Sequence, residues 1–186
     1  MSGQDSHMGE FPSPTVTIFG SSVPRPGSQA CDDARAVGRA LAELGYAVAN
    51  GGYGGTMAAS ALGAKDTGGR TIGVNCDLWP QRQPPTCFDE ILHTPDLEHR
   101  LAKLLELGSA GYVVLPGGTG TLAELAMVWE LMCKKIMPPR PLVCFGPFWS
   151  PLIAMMVSER ASSARHVQQV ECAGQLERIF PRCDKT

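Results

Sequence analysis

The chain is poor in the features that would take it outside the ordinary globular α/β proteins. It has no apolar run approaching the roughly 18 residues that a membrane-spanning helix needs. Charge of one sign is missing as well. Sixteen Lys and Arg stand against 18 Asp and Glu, for a net charge of −2, and the two signs are mixed along the chain. That leaves no basic face for nucleic acid and no acidic tail. The seven cysteines, at 31, 76, 87, 133, 144, 172 and 183, form no C-x-x-C pair. An odd, scattered set of this kind reads as buried thiols in a reducing cytosol, not as a disulfide framework. The four histidines are equally dispersed, and His93 and His99 do not share a helix face, so no metal is expected. The polar start of the chain lacks the apolar segment of a secretory signal, and a cytoplasmic protein is expected. Residues 1–13 read as a disordered leader or tag remnant (Ser6-His7-Met8), and 14–186 as one domain, since 186 residues suffice for one well-buried core and are short for two.

What is present is an alternation of short apolar strands with helical segments. Thr15–Phe19 reads as a first strand, followed by a helix over about 31–44 closed by Gly45. A second strand, Tyr46–Asn50, leads into Gly51-Gly-Tyr-Gly-Gly-Thr-Met57 and a small-residue helix to about Asp66. Strand Thr71–Asn75 precedes a loop rich in Pro and Gln that carries Trp79, then a short strand near Glu90–His93. Helix 96–107, strand Gly111–Leu115, a helix from Thr121, strand Pro141–Phe145, a helix over 147–159, strand 167–170 and a helix over 174–180 complete the chain. The pattern predicts an α/β, Rossmann-like, doubly wound sheet of about seven mostly parallel strands with helices on both faces. Glycine clusters follow Phe19, Asn50 and Leu115. Strand C-termini share one edge of such a sheet, so three glycine-rich turns are expected to converge on one pocket.

The most informative of these turns is Leu115-Pro-Gly-Gly-Thr-Gly-Thr-Leu-Ala-Glu124. A buried strand, a glycine turn and a helix N-terminus together aim backbone N–H groups and the positive end of a helix dipole at an anion. A site that only held phosphate would gain nothing from Glu124, about one turn further on; a site performing chemistry beside the phosphate would use it. Gly118-Thr-Gly-Thr-Leu-Ala123 formally matches a dinucleotide fingerprint, but that motif belongs to the first strand-helix turn, and strand 141–145 ends in Gly146-Pro147 with no ribose-binding acid. Neither glycine cluster carries the Gly-Lys-Ser/Thr of a nucleoside-triphosphate loop.

Pro116-Gly-Gly-Thr-Gly-Thr121-x-x-Glu124 resembles the PGGxGTxxE signature of the Lonely Guy (LOG) proteins, long labelled lysine decarboxylases. Phe19-Gly-Ser-Ser22, Gly51–Met57, and Gly68-Gly69 before Ile72-Gly73-Val74 are similar to other parts of that family. The resemblance implies a phosphoribohydrolase that cleaves the N-glycosidic bond of a cytokinin-type or adenine nucleoside 5′-monophosphate, releasing free base and ribose 5-phosphate without a cofactor. It implies a catalytic pair of Glu124 and an arginine on the preceding helix. Where the family commonly has Arg-Lys, this chain has Arg100-Leu101 with Lys103 a turn later, and Arg100 lies one residue further from the proline. Ala123 replaces a second glutamate often found beside the signature one.

Phosphate and ribose contacts are expected from Gly20, Ser21, Ser22, Gly54, Gly55, Thr56, Gly117, Gly118, Thr119, Gly120 and Thr121, with Met57 in the base pocket or in the core and the Cys76–Glu90 loop, which carries Trp79, covering that pocket. Bland roles stand beside these: a helix-dipole partner for Glu124, turn capping for the serines, a surface charge or an ion pair with Glu98 or Glu124 for Arg100. The helix 121–133 is apolar nearly all round, which requires burial all round, by a second copy in a homodimer, as the resemblance also implies, or beneath the C-terminal helix. A non-catalytic nucleotide- or phosphorylated-cofactor-binding module is the competing function. Amino-acid decarboxylation needs a Schiff-base lysine, and Lys65, Lys103, Lys134, Lys135 and Lys185 have no context for one.

Overall fold

The computed structural model describes residues 14–183; the leader proposed over 1–13 lies outside them. The order of elements is β1 (Thr15–Phe19), α1 (Gln29–Glu43), β2 (Ala47–Asn50), α2 (Thr56–Lys65), β3 (Thr71–Cys76), β4 (Glu90–Thr94), α3 (Leu97–Leu107), β5 (Gly111–Val114), α4 (Thr119–Cys133), β6 (Leu142–Phe145), α5 (Ser150–Glu159) and β7 (Gln168–Val170), with 3-10 turns at Ala161–His166 and Ala173–Arg178. The seven strands form one sheet in the order β4-β3-β2-β1-β5-β6-β7, and every pairing is parallel. Strands β1, β2, β3 and β5 are buried along their whole length, as a sheet covered on both faces requires.

Two apolar layers flank the sheet. Ala34, Val37 and Leu41 of α1 pack with Leu176 and Phe180 on one side; Leu104 of α3, Leu125 and Val128 of α4 and Trp149 fill the other. The chain winds outward from β1 in both directions, so the order reverses between β1 and β5. At such a switch point the two following connections diverge and leave a crevice beyond the strand ends. Phe19 lies opposite Val114 there, which sets the turns 20–22 and 115–118 side by side.

Helix α3 is held to this frame through its last carbonyls, which a helix cannot satisfy internally. Thr17 Oγ1 donates to Leu104 O at 3.0 Å, and Tyr112 Oη donates to Leu105 O at 2.6 Å while its ring stacks on Phe19 with centroids 5.6 Å apart. The other end of α3 is capped by Asp96, whose carboxylate accepts from His99 N–H at 2.8 Å. The side chains of the first turns of α3 are thereby fixed over the strand ends.

Two expectations are corrected. The helix expected over 174–180 is a 3-10 turn of six residues, Ala173–Arg178; Gly174 near its start and Pro181 beyond its end leave too short a stretch to nucleate an α-helix. Helix α4 is not buried all round in the single chain: Leu125, Val128, Trp129 and Met132 are covered, but Met127 is 42% exposed and Ala123, Ala126 and Glu130 face solvent. It also begins at Thr119, inside the glycine motif. Cover from the C-terminal part is partial and comes through the Trp129 indole, which donates to Ser163 O at 3.0 Å.

Helices α1 and α2 approach closely because glycine stands at both crossing points. A Cβ on Gly38 would overlap the Ser60 carbonyl, and one on Gly63 the Arg35 carbonyl. Both obstacles are backbone, which cannot rotate away. Gly38→Ala is therefore expected to destabilise the protein by about 1–3 kcal/mol, despite the better helix propensity of alanine, and a lowered urea midpoint at unchanged slope would register it.

Candidate active site

Beyond the switch point lies a cleft of about 260 Å³, lined by the β1 turn, the start of α4, Tyr53 and Met57 from the second glycine loop, Trp79 and Arg82 from the β3–β4 connection, and Arg100 and Glu124. Each contributor is set there by local chemistry. Thr121 Oγ1 donates to Gly20 O at 3.0 Å, joining α4 to the β1 turn. Thr56 Oγ1 donates to Ser21 O at 3.1 Å and accepts from Ser21 N–H at 2.9 Å, joining α2 to the same turn. Gly55 (φ +63°) adopts a left-handed conformation against Ser21 and Ser22 where a side chain would collide, so glycine is required.

These ties sort the expected phosphate and ribose residues. Gly20, Ser21, Ser22, Gly118, Thr119, Gly120 and Thr121 line the cleft together with Met57. Gly54, Gly55, Thr56 and Gly117 do not line it. Three of them shape it: Gly55 packs against Ser21 and Ser22, a Cβ on Gly117 would collide with Thr121, and the Thr56 hydroxyl is spent on Ser21; a Cβ on Gly54 would meet only open space. Ser21 Oγ accepts from Val23 N–H at 3.1 Å and so steadies its own turn, while Ser22 is exposed at the rim. Helix α4 starts at N-cap Gly118 with no side-chain cap, which leaves its first N–H groups directed at the cleft.

Glu124 is 8% exposed. Burial pushes its carboxyl up to about 7, against the opposing pull of the Arg100 guanidinium. That pull is incomplete because Arg100 is shared. Its Nη1 stands 3.5 Å from Glu124 Oε1, its Nε donates to Val74 O at 2.9 Å, and its Nη2 donates to Gly51 O at 3.2 Å. The face of Tyr53 lies 5.6 Å from the guanidinium carbon. Arg100 therefore reaches Glu124 from the first turns of α3. Lys103, the other cation of α3, turns away to Glu106 at 2.6 Å.

Val23, Tyr53 and Arg82 are the lining residues that sequence reasoning did not assign to the site, whereas Trp79 lies on the loop expected to cover the pocket and does line the cleft. The Tyr53 and Trp79 rings meet edge to face with centroids 6.0 Å apart, and Arg82 lies over both, 5.7 Å and 5.3 Å from their centroids. An aromatic residue in an otherwise polar, proline-rich loop was the available signal. Among the described residues no histidine lines the cleft: His93 stands beside Asp77 at 3.2 Å and His99 beside Asp96 at 2.8 Å. Lys65 and Lys134 pair with Asp89 and Glu130, and among the described residues no lysine lines the cleft.

An open parallel sheet with glycine-rich turns at its switch point defines a Rossmann-like protein, and its crevice brings an uncapped helix N-terminus next to a buried carboxylate. The chain belongs to the LOG family: the model of that family, described as "Possible lysine decarboxylase", matches residues 57–183. A cytokinin riboside 5′-monophosphate phosphoribohydrolase from Rhodococcoides fascians is 34% identical over 62% of this chain and 61% of its own length. One from Mycobacterium tuberculosis is 32% identical over 62% of each. The chain thus spans about three fifths of the length of these curated relatives. Among solved structures, a molybdenum cofactor binding protein from Rippkaea orientalis shares the fold with a TM-score of 0.72 and 20% identity, over 91% of this chain and 96% of that one.

The raised carboxyl of Glu124 carries a sign. Its folded-state value of about 7 exceeds the ordinary 4.5, so the folded protein binds this proton more tightly than the unfolded chain. The associated stability is fully present below the ordinary value and is lost as pH rises through about 7. Wild type is accordingly expected to lose stability relative to Glu124→Gln between about pH 5 and pH 8, measured by denaturant unfolding across that range.

Proposed function

We propose that the protein is a 5′-phosphoribohydrolase acting on a purine nucleoside monophosphate, with Glu124 as the carboxylate that promotes cleavage of the N-glycosidic bond. The observation that carries this reading is a buried carboxylate beside an uncapped helix N-terminus in one small cleft. Phosphate bound on the first N–H groups of α4 fixes the ribose relative to Glu124, so binding energy far from the reacting bond positions it. Glycosidic cleavage develops positive charge on the ribosyl ring, which a carboxylate stabilises more strongly in a desolvated site than in water. The base departs with the bonding electrons and accepts a proton, water adds to C1′, and ribose 5-phosphate remains. A carboxyl poised near 7 also suits Glu124 to take the proton of that water.

Arg100 is the group that orients Glu124 and holds it partly ionised; it is no proton donor, because guanidinium keeps its proton. The size of the cleft, about 260 Å³, falls just below the roughly 300–1,000 Å³ of ligand sites, which favours one mononucleotide over a dinucleotide. Decarboxylation through a Schiff base lacks a lysine in the cleft among the described residues. The curated relatives named as phosphoribohydrolases support the same reaction class, and unpaired cysteines suit a cytosolic setting.

Incubation with AMP and with isopentenyladenosine monophosphate is expected to release free base, and Glu124→Ala to lose at least about a hundredfold in kcat. Because the reactive form is the carboxylate, kcat/KM of the wild type is expected to rise with pH through a limb near the Glu124 value of about 7. Binding without turnover, unchanged in the variant, would overturn the enzyme in favour of a nucleotide- or cofactor-binding module.

The protein is further proposed to work as a homodimer through α4. An apolar groove runs between α4 and α5, lined by Leu122, Leu125, Ala126, Trp129, Leu152 and Met156, and a second lies on the opposite flank of α4 beside Met127 and Leu131. Two such grooves beside one helix are an unusual exposure for a single chain. Met127→Lys is expected to shift the mass in sedimentation equilibrium from dimer to monomer; a wild type that sediments as a monomer would exclude the dimer.

A further inference from the structure

The cleft holds two guanidinium groups, and they are in opposite states. Three N–H positions of Arg100 are engaged by Val74 O, Gly51 O and Glu124, and its side chain is 12% exposed. It is a fixed part of the wall. Arg82 is exposed, and among the described residues its side chain meets only the faces of Tyr53 and Trp79. No carboxylate or carbonyl occupies its donors. Cation–π contact is weak where water reaches the cation, whereas a guanidinium and a phosphate make paired, charge-assisted hydrogen bonds. An arginine resting on two rings can therefore be drawn off them by an anion in the same cleft.

Across that cleft stand the uncapped N–H groups of α4, from Gly118 onward. They approach a phosphate from the floor. Nothing else in the lining brings mobile positive charge to it: Arg100 is committed, and Glu124 carries the opposite sign. On this basis, and resting on the phosphoribohydrolase reading for the identity of the ligand, we propose that Arg82 is the side chain that closes over the substrate phosphate, leaving its aromatic rest position to complete the anion site begun by α4. Tyr53 and Trp79 are then freed to offer their faces to the base, and phosphate capture and base stacking become one event.

Binding separates this from catalysis. Calorimetric titration of wild type, Arg82→Ala and Arg82→Lys with AMP, ribose 5-phosphate and adenosine is the test. Arg82→Ala is expected to weaken AMP and ribose 5-phosphate by 10- to 100-fold and adenosine by less than about twofold. Arg82→Lys is expected to recover part of the loss, since an ammonium keeps the charge without the fork. Unchanged AMP affinity in Arg82→Ala would overturn the proposal. So would equal losses for AMP and adenosine, which would make Arg82 a contact for the base, and so would a wild type that binds AMP no more tightly than adenosine. Absence of base release from a wild type that shows the expected affinities would instead sink the enzymatic reading and leave Arg82 as the phosphate contact.

Discussion

The site depends on how Arg100 is held. One guanidinium takes up the carbonyl of Val74 in β3, the carbonyl of Gly51 in the second glycine loop and the carboxylate of Glu124 on α4. These three groups belong to segments far apart in sequence. The charge does not make Glu124 an ordinary carboxylate, because desolvation outweighs it. It prevents burial from making Glu124 permanently neutral. The result is a group that changes state near neutrality, which neither burial nor pairing would produce alone.

Arg100 can do this only because α3 is fixed independently. Thr17 and Tyr112, both on central strands, bind the last carbonyls of that helix, and Asp96 caps its start. Positioning runs from the sheet to α3, from α3 to Arg100 and from Arg100 to Glu124. The cleft-facing end of α4 is set by a different route, through Thr121 to the β1 turn. Helix N-terminus and carboxylate therefore share a helix but answer to separate anchors.

Much of this was legible in the sequence. The strands announced themselves as short β-branched runs, and the glycine clusters marked the loaded edge of the sheet. Glu124 stood out because helix geometry alone places it one turn beyond the turn. The path of Arg100 was not legible, since its targets are backbone carbonyls that no residue pattern encodes. Trp79 marked the β3–β4 connection as cover for the pocket, but the contribution of Arg82 was hidden for a related reason: that connection has no periodicity, and its polar side chains acquire meaning only once folded over the cleft. The surface of α4 misled in another way. Its composition demands burial, and a single chain buries only the stripe through Leu125, Val128 and Trp129.

The connection that bears Trp79 and Arg82 is pinned at both feet. At one end the Tyr53 phenol accepts from Cys76 N–H at 2.9 Å. At the other, Thr71 Oγ1 donates to Cys87 O at 2.8 Å, and Asp89 accepts from Thr71 N–H at 2.8 Å. The span between these anchors touches the ligand space but carries none of the ties that hold Glu124 or the sheet. Its residues can be exchanged, lengthened or shortened at little cost in loop entropy while the chemistry stays where it is. For such a scaffold, new ligand preferences are reached by rewriting one strap, and a lineage can explore them without first surviving a loss of fold.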